Sequence, residues 1–299
     1  MTPMNSMNPM APMTPHPEEQ RMHPYVVVDA FATEALHGNP VAVYFDANDL
    51  TGSQMQGIAR EMNLSETTFV LRPKQGGDAH IRVFTPVNEL PFAGHPLLGT
   101  AIALGNRSDA DQLKLETAMG LIPFELVREH GTVTKAWMRQ PVPTWRPYEH
   151  REELLAALGV RETALPVDIY RNGPRHVLVA LKSVEELSAL RPDHHALSAF
   201  PDMAANCFAG AGTQWRSRMF SPAYGVVEDA ATGSAAGPIA IHLARHGLID
   251  YGQRIVITQG VEMGRPSPMH ALAEGAGQRV DSVEVGGDGV VVIEGTLRV

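Results

Sequence analysis

Glu66 stands in the stretch Asn63-Leu64-Ser65-Glu66-Thr67, with Leu64 and Phe69 making its neighbourhood largely apolar. A carboxyl in such surroundings is disfavoured as an anion, which suits it to both giving and taking a proton. A surface or capping glutamate is the commoner reading of such a residue taken alone. His95, in Phe92-Ala93-Gly94-His95-Pro96, and Asp229, in Glu228-Asp229-Ala230-Ala231-Thr232-Gly233-Ser234, each lie beside an expected helix start. Individually both are ordinary, because acidic residues and Gly-His pairs are common there. Their matched placement changes the reading. Unpaired backbone N–H groups at Gly94-His95 and at Gly233-Ser234, aimed into one cleft, would form a receptor for a carboxylate.

These residues belong to a stretch that occurs twice. Arg82-Val83-Phe84-Thr85-Pro86 leads through Glu89 to Gly94 and the apolar run His95 to Leu104, and Arg218-Met219-Phe220-Ser221-Pro222 leads through Glu228 to Gly233 and Ile239 to Leu243. Both copies read as strand, polar turn and helix start. Two copies so far apart do not make a solenoid; they predict two similar domains facing each other. Around them, β-branched runs predict strands at 25–31, 41–45, 68–71 and 79–85, then 112–116, 122–127 and 133–138. Helical spacing of Met55, Ile58, Ala59 and Met62 predicts a helix over 53–62. The second half repeats the plan: helices at 152–158 and 184–190, strands at 167–170 and 176–181, and closing strands at 255–258, 269–273, 283–285 and 290–293. Asn172-Gly173-Pro174 echoes Gly38-Asn39-Pro40. An apolar helix without a polar face must be buried all round. The expected fold is therefore α+β, with each domain a curved sheet or barrel wrapped around a central helix. The boundaries are a first domain over 22–140 and a second over 141–299, divided near Pro141-Val142-Pro143, with the terminal strands free to cross to the first.

Of the 299 residues, 44% are apolar and 19% charged, a balance that can fill the cores of two soluble domains. A net charge of -9 argues against nucleic acid or an anionic membrane as partner. No run approaches the length of a membrane span. The single cysteine, Cys207, cannot form an internal disulfide and fits a reducing, cytoplasmic location. Residues 1–21 are rich in Met and Pro, lack the basic and apolar regions of a secretion signal, and read as a disordered tail. His242 and His246 have the spacing of a zinc helix, but Leu243 stands where a metalloprotease needs glutamate, and His246 before Gly247 reads as a cation at a helix end. Gly210-Ala211-Gly212 lacks the third glycine of a dinucleotide fingerprint, Trp215 standing in its place. No metal and no cofactor is expected.

Taken together, Asp29-Ala30-Phe31 with Gly38-Asn39-Pro40, Asn63 to Thr67, Phe92 to Pro96, Glu228 to Ser234 and Gly264-Arg265-Pro266-Ser267 resemble the PhzF family, which shares the diaminopimelate epimerase fold. The resemblance covers nearly the whole chain from Met22. It implies a cofactor-free homodimeric isomerase that converts trans-2,3-dihydro-3-hydroxyanthranilate to an unstable aminoketone, the precursor of phenazines. By position it makes Glu66 the proton-transferring residue, with His95, Asp229, Gly94 and Ser234 holding the substrate and assisting. Epimerases of this fold carry a cysteine before each helix-start glycine; here Ala93 and Thr232 stand there, so a two-thiol mechanism is closed to this chain. Two other readings stay open from the residues: a family isomerase for a different small carboxylic acid, and a non-catalytic small-molecule binding protein.

Overall fold

The computed structural model describes residues 21–299. The expected tail therefore lies outside the described residues except for Arg21, whose backbone exchanges hydrogen bonds with Val299 and whose side chain pairs with Asp49. The first half runs β1 (Met22–Ala30), β2 (Asn39–Tyr44), α1 (Gly52–Met62), β3 (Glu66–Leu71), β4 (Ala79–Phe84), β5 (Glu89–Leu90), α2 (Gly94–Gly105), β6 (Gln112–Thr117), β7 (Gly120–Glu129) and β8 (Thr132–Arg139). It continues as β9 (Thr144–Pro147), α3 (Arg151–Leu158), β10 (Asp168–Arg171), β11 (Arg175–Ala180), α4 (Val184–Ala189), α5 (His194–Leu197), β12 (Ala204–Ala211) and β13 (Gln214–Ser221). β14 (Val226–Asp229), α6 (Gly233–Arg245), β15 (Ile255–Gln259), β16 (Ser267–Ala276) and β17 (Arg279–Arg298) complete the chain. None of the described helices is long and apolar enough to cross a membrane.

Strand pairing closes the first half into a barrel: β1 pairs with β2, β2 with β3, β3 with β4, β4 with β6, β6 with β7 and β7 with β8, and β17 joins β8 back to β1. α2 runs inside it. From Gly94 to Ala103 every residue is buried, as its apolar composition requires. The one hydroxyl on that inner surface, Thr100, donates to Pro96 O at 2.7 Å and meets Thr68 Oγ1 at 2.8 Å. The second half curves in the order β9, β10, β11, β12, β13, β15, β16, β17 around α6. No pairing among the described residues closes it. α1 covers the outside of the first barrel, packing Met55, Ile58 and Ala59 with Tyr44 and Phe69. α3, α4 and α5 do the same for the second sheet with Leu154, Leu155, Leu158 and Leu187. The repeat is preserved in side-chain detail. Arg82 forks onto Glu89 with two bonds of 2.7 Å, and Arg218 onto Glu228 with bonds of 2.8 and 2.9 Å. Both guanidinium groups also lie over a phenyl ring, Phe84 and Phe220.

α5, β9, β12 and β17 all differ from the expectation, which placed no helix over 194–197. β12 was not anticipated, because Ala204-Ala205-Asn206-Cys207-Phe208 is poor in β-branched residues; tertiary pairing with β11 and β13 makes it a strand. β9 forms just past the expected linker, by pairing with β10. The two closing strands are a single β17 running through Gly286-Gly287-Asp288-Gly289. These glycines are there for close packing and not for a turn: a Cβ on Gly286 would lie 2.3 Å from the Trp137 ring.

Candidate active site

The helix starts meet. A Cβ on Gly94 would lie 2.2 Å from Ser234 N, and one on Gly233 would lie 2.8 Å from the Phe31 ring, so the two N-termini touch only because both residues are glycine. Neither Ala93 nor Thr232 caps its helix through a side chain. The N–H groups of Gly94, His95, Gly233 and Ser234, the first two residues of each helix, have no intrahelical acceptor, and these residues line the space between the halves. α6 carries Pro238, which has no N–H for Ser234 O; Asn172 Nδ2 supplies the missing bond at 2.8 Å. Gln140 Nε2 donates to Gly233 O at 2.8 Å. The second helix start is therefore fixed from outside by two amides.

Glu66 is placed by the end of α1. Asn63 stops that helix in the left-handed conformation, with φ of 51°, and β3 begins three residues later with Glu66 itself. Its Oε2 lies 3.3 Å from His95 Nε2, and both atoms are buried with no hydrogen-bond partner. Burial, and then the charge of Asp229, push the Glu66 carboxyl up to about 8. Asp229 is raised by burial to about 6, held back by hydrogen bonds from Thr232 and Asn39. His95 is pushed down to about 3 by burial, which leaves it a neutral imidazole. The first proton to be held in this set at neutral pH thus belongs to Glu66.

Asn39, the first residue of β2, ties these groups together. Its Nδ2 donates to Asp229 Oδ1 at 2.7 Å and to Ala231 O at 3.0 Å, and lies 3.2 Å from His95 Nδ1. Ser65 Oγ donates to Asn39 Oδ1 at 3.1 Å, which orients the amide. Thr232 Oγ1 donates to the other Asp229 oxygen at 2.6 Å, and Gln259 Nε2 donates to Thr232 Oγ1 at 2.9 Å. Behind Asn39, Arg265 binds Gly38 O, His37 O and Asp29 Oδ1 at 2.7 to 2.8 Å, so the Gly264 to Ser267 motif clamps the loop that leads into β2.

The structure brings all six sequence-expected residues, Glu66, Gly94, His95, Asp229, Gly233 and Ser234, around one cleft. Sequence reasoning gave no role to Asn39, Gln259 or the cleft-lining His176, and noted Thr232 only as standing where epimerases of the fold carry a cysteine; the echo of Gly38-Asn39-Pro40 in Asn172-Gly173-Pro174 pointed toward two of the amides. A wider groove of about 600 Å³ beside α3 and α4 is lined by Arg161, Glu162 and Lys182 and gathers no comparable set. Cys207 is buried in β12, its thiol pushed up to about 12, and does not reach the cleft. The sequence found no Cys/His metal cluster, yet Asp168, His242 and His246 bring ligating atoms within 4.8 Å of one another. The Asp168 carboxylate there already accepts Arg245 at 3.1 Å, and His242 Nδ1 meets Tyr170 OH at 3.1 Å. That guanidinium occupies the place of a cation. His246 is also not the helix-end cation expected, because burial and then Arg245 lower its affinity for a proton.

Comparisons with known proteins give the family and the fold. Residues 28–295 match the PhzC-PhzF family, described as phenazine biosynthesis-like protein. The chain is 68% identical over 274 residues to trans-2,3-dihydro-3-hydroxyanthranilate isomerase of Pseudomonas aeruginosa, covering 92% of this chain and 99% of that protein. It is 66% identical to the protein of the same name from Pseudomonas fluorescens, with the same coverage of 92% and 99%. Among solved structures, a PhzF-family phenazine biosynthesis protein of Bacillus anthracis superposes with a TM-score of 0.81 at 24% identity, over 93% of this chain and 99% of that one. A hydroxyproline epimerase of Agrobacterium vitis shares the fold at 13% identity, with a TM-score of 0.67 and coverage of 94% and 93%. A family match over almost the whole chain, with relatives this similar end to end, makes the protein a member of the PhzC-PhzF family.

Proposed function

We propose that this protein is a trans-2,3-dihydro-3-hydroxyanthranilate isomerase in which Glu66 moves a proton from C3 to C1 of the ring. The observation that carries the proposal is a buried carboxyl with a raised proton affinity, 3.3 Å from a neutral histidine, beside two uncapped helix starts, in a chain 68% identical to an enzyme of that name. The substrate carboxylate takes the N–H groups of Gly94, His95, Gly233 and Ser234. Ionised Glu66 removes the C3 proton, the electron pair shifts through the diene, and the same proton returns at C1. The enol left at C3 then relaxes to the ketone. His95 and Asp229 orient ring and carboxyl. No thiol lines the cleft, and Ala93 and Thr232 stand before the helix-start glycines, so one carboxyl working on one face fits better than a two-base inversion.

The same reading takes 22–140 and 141–299 as two lobes, joined by β17, whose closure shields the proton from water. It also takes the protein as a cytoplasmic homodimer working without a cofactor; the sole, buried cysteine suits a reducing compartment. Light scattering of the purified protein tests the dimer. The reaction is tested by mixing protein with trans-2,3-dihydro-3-hydroxyanthranilate and following absorbance, then repeating it in heavy water. Turnover with some unlabelled hydrogen at C1 of the trapped first product is expected. No turnover overturns the function; complete solvent labelling at C1 overturns the shielded transfer alone.

A further inference from the structure

His176 has no part in the proton transfer, yet it lines the same cleft as Glu66, His95 and Ser234. It is the second residue of β11, entered through Asn172-Gly173-Pro174. That turn is held at both helix starts, because Asn172 bonds Ser234 O and a Cβ on Gly173 would lie 3.0 Å from Phe92 Cβ. The residue is only 1% exposed. Its Nδ1 lies 3.3 Å from Asn206 Nδ2, which also donates to Ala204 O at 2.9 Å. An amide nitrogen only donates, so Nδ1 is the acceptor and the ring proton sits on Nε2. Nε2 is buried and has no protein partner. Burial also pushes the ring down to about 3, so it is a fixed neutral donor and neither a base nor a charge at working pH. A buried N–H without a partner costs free energy, and an acceptor held in the cleft that His176 lines would relieve that cost.

We infer that His176 is a substrate-recognition residue whose Nε2–H donates to the 3-hydroxyl oxygen of the bound ring. The inference rests on the isomerase reading, in which the helix starts take the substrate carboxylate. The amino group offers hydrogens and not a free acceptor once protonated, which leaves the hydroxyl oxygen as the acceptor for an N–H. Holding that oxygen fixes the rotation of the ring and turns the C3 hydrogen toward Glu66. His176 thereby selects for a 3-hydroxy acid over a ring that lacks the hydroxyl.

Anthranilate and 3-hydroxyanthranilate are aromatic, do not turn over by this route, and differ by that hydroxyl. Their binding is measured by calorimetry to wild type, His176→Phe and His176→Gln, alongside wild-type turnover of trans-2,3-dihydro-3-hydroxyanthranilate. Wild type is expected to favour 3-hydroxyanthranilate by about tenfold, the worth of one well-placed buried hydrogen bond. His176→Phe should abolish the preference without weakening anthranilate, and His176→Gln, whose amide N–H reaches toward the Nε2 position, should keep part of it. A preference retained in His176→Phe, or equal weakening of both ligands, overturns the assignment while wild-type turnover leaves the isomerase reading standing. Absence of wild-type turnover overturns both. Should His176→Phe not fold, the ¹⁵N resonance of His176 Nε2 in wild type decides: a shift with 3-hydroxyanthranilate but not with anthranilate supports the contact, and identical responses overturn it.

Discussion

Replacing Glu66 with Gln should destroy turnover and, at the same time, stabilise the empty protein at neutral and alkaline pH. The folded protein holds the Glu66 proton from the ordinary 4.5 up to about 8, chiefly because the carboxylate is buried. A group whose folded value exceeds its unfolded value gives stability that is full below 4.5 and is lost as pH rises through about 8. At about 1.4 kcal/mol per pH unit, this sets a ceiling of about 5 kcal/mol on what ionisation costs the fold. The Gln amide is neutral and never incurs that loss, but it leaves buried hydrogen-bonding groups that cost about 1–3 kcal/mol at every pH. A net gain of about 2 kcal/mol above pH 8 remains, worth roughly 4 °C in Tm for a chain of this size. Urea titrations of wild type and Glu66→Gln at pH 5, 6, 7, 8 and 9 provide the assay. The difference in stability should move in favour of the variant between pH 5 and 8 and then level off. Parallel pH curves would show that Glu66 does not hold its proton in the folded protein, and the account of a poised acid/base would fail with it.

The form of Glu66 that removes a proton is the ionised one, so kcat/KM should rise about tenfold from pH 7 to pH 9 around an apparent value near 8; a flat or falling profile would contradict a carboxylate base with that affinity. Gly94→Ala places a methyl 2.2 Å from Ser234 N and must push the helix starts apart, so kcat/KM should fall by about 100-fold or more with the fold kept. Wild-type kinetics in Gly94→Ala would mean that the joined N-termini do not bind substrate. Exhaustive chelation should leave activity intact, even though Asp168, His242 and His246 lie close together; rescue of a chelated, inactive protein by one divalent metal would count against the cofactor-free reading.

The parts legible in the sequence were those written in local pattern. The apolar runs after Gly94 and Gly233 announced buried helices, and the repeat announced that two of them share a plan. Asn63 and the strand after it placed Glu66 at a junction. What stayed hidden depends on partners far along the chain. Asn39 is one polar residue at the head of a strand, and its role arises from Asp229 and Ala231 in the other half. The Asn172 to Ser234 bond makes sense only once Pro238 is known to leave that carbonyl without its helical donor. β12 is a strand of small residues that its neighbours impose, and Gly286 to Gly289 mimic a turn while serving as clearance for Trp137 and Phe31. Local composition carries none of this information, because in each case the determining atoms belong to another element.

The duplication is symmetrical in backbone and asymmetrical in chemistry. Arg82 with Glu89 and Arg218 with Glu228 build the same fork in both halves, and each fork is followed by an uncapped helix start at the cleft. Leu90 nevertheless stands where the second copy has Asp229 after its glutamate, and Ala93 where the second has Thr232. The first copy brings His95 into reach of Glu66, while the second brings Asp229 into the bonds of Asn39 and Thr232. A matched pair of backbone receptors can hold a flat carboxylate acid from both sides without specifying chemistry. Of the two buried carboxyls at the cleft, Glu66 is the more strongly raised and Asp229 is tied up by hydrogen bonds from Asn39 and Thr232, so the proposed reaction is a shift between two carbons on one face carried by Glu66. Inversion at a single carbon would need a second free base on the opposite side; no thiol lines this cleft, and both oxygens of the other carboxyl, Asp229, already accept hydrogen bonds from Asn39 and Thr232.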